Sequence, residues 1–89
     1  MYELRFDEAV VKRLEKLSRT VGQRIFRKLR ETREDPHRYF GTLTNRPEHR
    51  LRIGSYRVFA DINDSERTTS VLDVRHRKNA YRKRSTGHR

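Results

Sequence analysis

Apolar and polar positions alternate at the start of the chain and then change to a helical period. The alternation from Tyr2 to Phe6 predicts a short, half-buried strand. Asp7 follows as a predicted N-cap, and apolar residues then recur every three or four positions. A second run of the same period begins at a cap formed by Ser18 or Thr20, and it is predicted to end before Pro36. The pattern therefore predicts a strand followed by a helical hairpin.

The second half of the chain has a period of two. The predicted elements are a connection over 36–48, strands over 49–53, 56–62 and 68–77, and turns at 54–55 and 63–65. The predicted class is α+β, in the order β-α-α-β-β-β, with the N-terminal strand and helical hairpin packed on one face of an antiparallel meander sheet. A short C-terminal helix or tail follows over 79–84. Residues 1–89 are predicted to form one domain, frayed over 85–89.

The amino-acid composition indicates what kind of molecule the chain binds. The chain has 23 Lys or Arg against 12 Asp or Glu, a net charge of +11, which favours a polyanion and above all RNA. The absence of cysteine excludes a disulfide, a thiolate zinc site and a cysteine nucleophile. Without a signal-like or membrane-spanning apolar stretch, a cytoplasmic protein is expected. The four histidines lack ligand-like spacing, so no metal or other cofactor is expected.

Strand parity sorts the meander side chains onto two faces. The face predicted to lie under the helices collects apolar residues: Leu51, Ile53, Val58, Ala60, Ile62, Leu72 and Val74. The opposite face, called the open face below, carries five arginines and three other residues: Arg50, Arg52, Arg57, Arg75 and Arg77, with Phe59, Val71 and Asp73. Like charges on neighbouring strands repel, and a bound polyanion would relieve that repulsion. The alternative is a solvated face that is basic only because the whole chain is basic.

Four segments, in order, resemble the RelE/ParE toxin superfamily of prokaryotic toxin–antitoxin systems. They are the opening YELRFDEAVVKRLEKL, Phe40-Gly41 before the meander, the hairpin HRLRIGSYRVFADI and the strand end VRHRKNAYRK. The resemblance covers almost the whole chain and implies the same β-α-α-β-β-β fold. Since one fold hosts different functions, the superfamily is better defined than the activity.

The RelE-like branch implies a ribosome-dependent endoribonuclease that cuts mRNA in the decoding site, with the RNA 2′-OH as nucleophile. The resemblance places the catalytic set at Arg50, Arg52, Arg57, Arg77 and Tyr81. His76 and His49 are secondary candidates, although parity directs His76 towards the covered face. The other basic residues near the strand end are predicted RNA phosphate contacts: Arg75, Lys78, Arg82, Lys83 and Arg84.

Well-known RelE-like toxins carry lysines on the first meander strand, where this chain has Arg50 and Arg52. Arginine stays protonated and is a poor general base, so Tyr81 is the remaining candidate for that role. Two alternatives therefore stay open: a ParE-like, non-enzymatic gyrase inhibitor, and a catalytically degenerate RNA-binding module.

The resemblance implies three partners: an acidic, RelB-like cognate antitoxin, the ribosome and mRNA. The toxin itself is expected to be monomeric and to assemble further through the antitoxin. The outer helix faces alternate basic and acidic residues, which is typical of a solvated surface. A second RNA contact there is the less favoured interpretation.

Overall fold

The computed structural model describes residues 1–77. The elements are, in chain order, β1 (Glu3–Phe6), α1 (Glu8–Glu15), α2 (Arg19–Glu31), α3 (Pro36–Tyr39), β2 (Gly41–Leu43), β3 (Arg46–Ile53), β4 (Tyr56–Asn63) and β5 (Thr68–His76). The predicted C-terminal helix over 79–84 and the frayed end over 85–89 lie outside the described residues. Within residues 1–77, no helix is long and apolar enough to cross a membrane.

The five strands form one mixed sheet in the order β1-β5-β4-β3-β2. Strands β3, β4 and β5 pair antiparallel with their neighbours in the chain, which confirms the predicted meander. β1 instead runs parallel to β5, with Glu3 opposite Thr68 and Phe6 opposite Val71. The predicted α+β class is confirmed, and the first strand closes the sheet beside the last.

Two short elements replace the plain connection predicted over 36–48. Pro36 opens α3, where its fixed φ and missing N–H suit the first turn of a helix. Gly41–Leu43 forms the edge strand β2, and its partner β3 begins at Arg46 rather than at His49. A three-residue strand carries too little alternation to be recognised from the sequence pattern.

Both predicted helices are present, and the C-terminal end of the second differs from the prediction. Ser18 caps α2, because its Oγ accepts a hydrogen bond from the N–H of Val21 at 3.3 Å. Asp7 occupies the N-cap position of α1 without a side-chain hydrogen bond. α2 passes into a 3-10 turn over Thr32–Glu34, so the α-helix ends short of the predicted limit at Pro36.

The core lies between the helices and one face of the meander, called the covered face below. Its buried apolar residues are Val10, Ile25, Leu29, Phe40, Leu51, Ile53, Val58, Ala60, Val71 and Val74. They alternate along β3 and β4 as the sequence pattern predicts. Burial of these side chains is the main stabilising contribution of the sheet, at about 1.5–3 kcal/mol for each large one.

The predicted parity of the last strand is wrong before Asp73. Ala60 pairs with Val71 and Phe59 pairs with Asp73, so Leu72 has no partner in register and forms a β-bulge. Val71 is therefore fully buried on the covered face, while Leu72 is 39% exposed, the reverse of the prediction. Because the bulge adds one residue, positions beyond it keep their predicted faces.

Candidate phosphate-binding face

Three arginines lie side by side across three adjacent strands of the open face. Arg52 of β3 is directly opposite Arg57 of β4, and Arg57 is directly opposite Arg75 of β5. Side chains at directly opposite positions begin only about 4.5–5.5 Å apart at their Cβ atoms. This arginine row therefore concentrates positive charge, and its members repel one another until an anion lies between them.

Arg57 is the central member of the arginine row. Its side chain is half-buried, and its Nη1 is shielded from solvent without a hydrogen-bond partner among residues 1–77. A buried donor left without an acceptor costs about 1–3 kcal/mol, and more when the group is charged. Within the described chain, Arg57 is thus a guanidinium with an unmet need for an acceptor oxygen.

Arg75 differs from Arg57 because a carboxylate holds it. Its Nε donates a hydrogen bond to Asp73 Oδ2, and both side chains are mostly buried. Asp73 Oδ1 accepts from the N–H of Val74 at 2.8 Å and lies 3.8 Å from Nε of Arg13 on α1. β1 ends opposite Val71, so α1 can reach β5 beyond that point. Asp73 therefore fixes Arg75 and links the open face to the first helix.

Strand parity predicts Asp73 on the open face but indicates no role for it. Residues two apart on a strand share a face, so the pair Asp73 and Arg75 was the available signal for this contact. Among residues 1–77, Arg50, Arg52 and Arg57 have no ion-pair partner. Asp73 thus neutralises one end of the row and leaves the other end positive.

A second row runs beside the first and offers a different contact. Arg50 is opposite Phe59, and Phe59 is opposite Asp73. The Phe59 ring is half-buried on a face otherwise dominated by charge. An aromatic side chain beside arginines is the usual surface on which an unpaired base stacks while its phosphates meet the cations.

Arg77 lies just beyond the end of β5, where strand parity no longer decides its direction. Its N–H donates to the carbonyl of Ser55 at 2.6 Å, so its backbone is tied to the β3–β4 turn. That turn adjoins Arg52 and Arg57, which places Arg77 at the same end of the sheet as the arginine row. The other predicted residues beyond it, Tyr81, Lys78, Arg82, Lys83 and Arg84, lie outside the described residues.

The two secondary candidates, His76 and His49, lie on the covered side of the sheet. The His76 ring meets the Tyr56 ring edge-on, with centroids 5.1 Å apart, as its parity predicts. His49 is opposite Ala60 in register, and its ring packs against that of His37 at 5.6 Å. His49 has the parity of Leu51 and Ile53, so it lies on the side of the sheet opposite the arginine row.

Tyr2, His37 and Asp64 form a polar cluster in which the pKa values of Tyr2 and Asp64 are shifted. Asp64 Oδ1 accepts a hydrogen bond from the Tyr2 hydroxyl at 2.7 Å and lies 2.7 Å from His37 Nε2. The hydrogen bond from Tyr2, followed by that from His37, lowers the pKa of Asp64. The same contact raises the pKa of the Tyr2 hydroxyl. This cluster ties the N-terminus, α3 and the β4–β5 turn together and lies apart from the open face.

The residues of the open face suit an anion rather than a cation. Between residues 1 and 77, no three His, Cys, Asp or Glu side chains are grouped so that they could hold a metal ion. Guanidinium groups have donors in a fixed planar fork that matches phosphate oxygens, and they stay charged at any physiological pH. The open face is therefore a candidate phosphate-binding surface with one aromatic neighbour.

The fold is that of RelE-like toxins. The chain resembles the toxin in the RelBE2 toxin–antitoxin complex of Mycobacterium tuberculosis, with a TM-score of 0.79 and 25% identity over 85% of this chain and 98% of that one. It resembles the E. coli RelBE complex with a TM-score of 0.72 and 29% identity, over 83% and 94% of the two chains. The isolated E. coli RelE toxin matches with a TM-score of 0.74 and 25% identity over 100% of both chains.

A family model gives the same assignment from sequence. The model of the ParE toxin of type II toxin–antitoxin systems, parDE, matches residues 4–81. The chain therefore belongs to the ParE toxin family, within the RelE/ParE toxin superfamily. No curated protein matches the chain.

Proposed function

We propose that this chain is a ribosome-dependent endoribonuclease that cleaves mRNA in the decoding site and so inhibits translation in the cytoplasm. The observation that carries the proposal is the arginine row, and above all Arg57, whose shielded Nη1 lacks an acceptor among residues 1–77. A phosphodiester on the open face supplies the negative charge that the arginine row lacks and acceptor oxygens for its guanidinium groups. The likeness to E. coli RelE supports the RelE-like activity over simple binding.

The proposed reaction is an in-line transfer within the RNA. The 2′-oxygen loses its proton and forms a bond to phosphorus, while the bond from phosphorus to the 5′-oxygen breaks and that oxygen takes up a proton. The products are a 2′,3′-cyclic phosphate and a 5′-hydroxyl. Negative charge grows on the phosphoryl oxygens as the transition state forms, and Arg57 and Arg77 stabilise it. Arg50 and Arg52 hold the neighbouring backbone.

Proton transfer needs a different group, because arginine does not release its proton at useful pH. Tyr81 is the proposed candidate at the position that the toxin family gives to its C-terminal tyrosine. It either takes the proton from the 2′-OH, orients that hydroxyl or stacks on a base. His76 is not assigned this role, since it packs against Tyr56 on the covered side.

Primer extension on an mRNA under translation tests the activity. With purified protein added, cleavage is expected at defined positions on ribosome-bound mRNA, and the 5′ fragment should end in a cyclic phosphate. The same mRNA without ribosomes should remain largely intact. Intact mRNA in the presence of active ribosomes would overturn the proposal.

A second candidate function is ParE-like inhibition of DNA gyrase, which the family model that matches residues 4–81 favours. A supercoiling assay with purified gyrase separates the two: the endoribonuclease leaves supercoiling unaffected, and a gyrase poison blocks it. A catalytically degenerate RNA-binding module would leave both substrates unchanged. It would still bind RNA with an affinity that falls steeply with salt.

We further propose an acidic, RelB-like antitoxin as the physiological partner, alongside the ribosome and mRNA. The net charge of +11 favours an acidic chain, and the related toxins of M. tuberculosis and E. coli occur in RelBE complexes. The toxin itself is expected to be monomeric, with larger assemblies formed through the antitoxin. Sedimentation of the toxin with and without the acidic product of a neighbouring reading frame tests this. A basic partner would contradict it.

A further inference from the structure

A groove between α2 and the β3–β4 turn carries two arginines, Arg24 and Arg27, that the proposed reaction does not use. It is open, has a volume of about 300 Å³, and is lined by Arg24, Arg27, Lys28, Glu31, Arg52, Ile53 and Gly54. We call it the α2 groove. Its one carboxylate, Glu31, is hydrogen-bonded to Lys28 at 3.3 Å. The three arginines of the groove have no carboxylate partner among residues 1–77.

The turn between β3 and β4 positions one of these arginines. A Cβ built on Gly54 would lie 3.2 Å from Nη2, 3.3 Å from Nη1 and 3.3 Å from Cζ of Arg24. Three nearly equal distances mean that the guanidinium lies flat over the glycine. Only glycine fits easily, because Gly54 has a φ of +59° and because a side chain would press on the guanidinium.

The stacked guanidinium lies close to the turn, and its donors are unused within residues 1–77. A group packed through its face keeps its N–H bonds in the plane, directed away from the glycine. No acceptor within residues 1–77 receives a hydrogen bond from Arg24 or from Arg27, one turn further along α2. Guanidinium groups with open donors suit phosphate oxygens as ligands.

The α2 groove is continuous with the open face through Arg52. That residue lines the groove, and its register also places it in the arginine row, opposite Arg57. The Gly54-Ser55 turn separates the two surfaces, and the backbone N–H of Arg77 is bonded to the carbonyl of Ser55. A flexible polyanion that crosses the open face can therefore pass round this turn into the groove.

We propose that the α2 groove is a second phosphate-binding site, which holds backbone phosphates of the same RNA strand that occupies the open face. The site rests on the proposed function for the identity of its ligand. The site increases the affinity for the RNA strand and sets the direction in which the strand runs, but it takes no part in the reaction. Its groups contact phosphates and do not recognise bases. Arg24 and Arg27 are its principal contacts.

The salt dependence of RNA binding tests this site. The probe is a short, labelled, single-stranded 2′-O-methyl RNA, which binds but cannot be cleaved, measured by fluorescence anisotropy between about 50 and 200 mM NaCl. The double variant Arg24→Gln/Arg27→Gln should bind more weakly. Its slope of log affinity against log salt should fall by roughly 1.4, or about 0.7 for each phosphate that the variant no longer neutralises.

Lys12→Gln/Arg19→Gln is the matched control, because it removes the same charge from exposed helix positions outside the groove. Its slope should stay close to that of the unmodified protein. Equal slopes for the two double variants would overturn the site, since the effect would then be one of net charge alone. Gly54→Ala gives an independent check: with unchanged charge, it should weaken binding, and unchanged affinity in a folded variant would also contradict the role of Arg24.

The same measurement separates this inference from the function on which it rests. Loss of binding in Arg57→Met, combined with control-like behaviour of Arg24→Gln/Arg27→Gln, would retain the open face as the RNA site and remove the groove. Absence of RNA binding by the unmodified protein would overturn the groove site, whereas the proposed function would still be decided by cleavage of ribosome-bound mRNA. Circular dichroism and thermal melts of each variant exclude unfolding as the cause of any weakened binding.

Discussion

The two faces of the meander sheet are built from the same strands but affect the stability of the protein in opposite ways. On β3, Leu51 and Ile53 are buried against the helices, while Arg50 and Arg52 between and beside them are exposed. The covered face gains free energy from burial. The open face loses free energy through like-charge repulsion and through the unmet Nη1 of Arg57.

That difference indicates that selection for folding alone would not produce the open face. A sequence chosen only for stability would replace central arginines of a sheet with neutral or alternating charges. Local arrangements that oppose stability are expected where a protein binds or reacts with something else. We therefore propose the open face as the functional surface, with the covered face as its support.

The largest effect that distinguishes the faces is expected at the bulge. Val71→Lys would bury a charge at a fully buried position, which should cost on the order of 4–5 kcal/mol or more and unfold much of the protein. Leu72→Lys, at the neighbouring exposed position, should change stability by no more than about 0.5–1 kcal/mol. Urea titrations of both variants measure this. Equal destabilisation would contradict the assigned register of β5.

A smaller contrast is expected between neighbours on β3. Leu51→Ala removes a side chain that is 7% exposed and should lower the free energy of unfolding by about 2–5 kcal/mol. Arg52→Met keeps the aliphatic stem and removes a repulsive charge opposite Arg57, so stability should be unchanged or higher by a few tenths of a kcal/mol. Denaturant midpoints compare the two. A strongly destabilised Arg52→Met variant would mean that the open face contributes to folding after all.

The smallest expected effect concerns pH. Hydrogen bonds from Tyr2 and His37 lower the folded-state pKa of Asp64, so its carboxylate stabilises the fold above the ordinary Asp pKa of about 3.9. That contribution is lost as the pH falls through the lowered folded-state value. Asp64→Asn should therefore lower the melting temperature at neutral pH, and the difference should disappear in acid.

Asp61→Asn is the control for that variant. Asp61 is exposed, and its side chain makes no hydrogen bond or ion pair within the described residues. Melting curves from about pH 3 to 7 cover the range in which a carboxylate of ordinary pKa titrates. An effect of Asp64→Asn that is the same at both ends of this range would contradict the proposed source of the stabilisation.

The sequence predicts most of the fold because the strand period is uninterrupted over β3 and β4. Arg50, Arg52 and Arg57 follow from parity there, and their side-by-side pairing follows from the short turn between the strands. The period fails on β5, where Val71 and Leu72 are adjacent and both apolar, so the pattern alone cannot tell which one the bulge exposes. Tertiary packing of the helices decides that point.

Features that depend on contacts distant in sequence were not predictable. The parallel pairing of β1 with β5 joins the two ends of the described chain, and no local pattern encodes it. Strand parity was sufficient to predict the hydrogen bond between Asp73 and Arg75. The ion pair between Asp73 and Arg13 was not predictable in this way, because it depends on how α1 packs at the edge of the sheet. The start of β3 was predicted three residues late, at His49 instead of Arg46.

The most direct test of the open face as the functional surface is Arg57→Met, assayed for stability and for cleavage of ribosome-bound mRNA on the same sample. Loss of one donor to a developing oxyanion is expected to slow cleavage by about 10²–10³-fold. The melting temperature should be unchanged or higher, because a repelling charge with an unmet donor is removed. Arg19→Met, outside both proposed sites, should retain full activity. Cleavage by Arg57→Met at the unmodified rate would contradict the account.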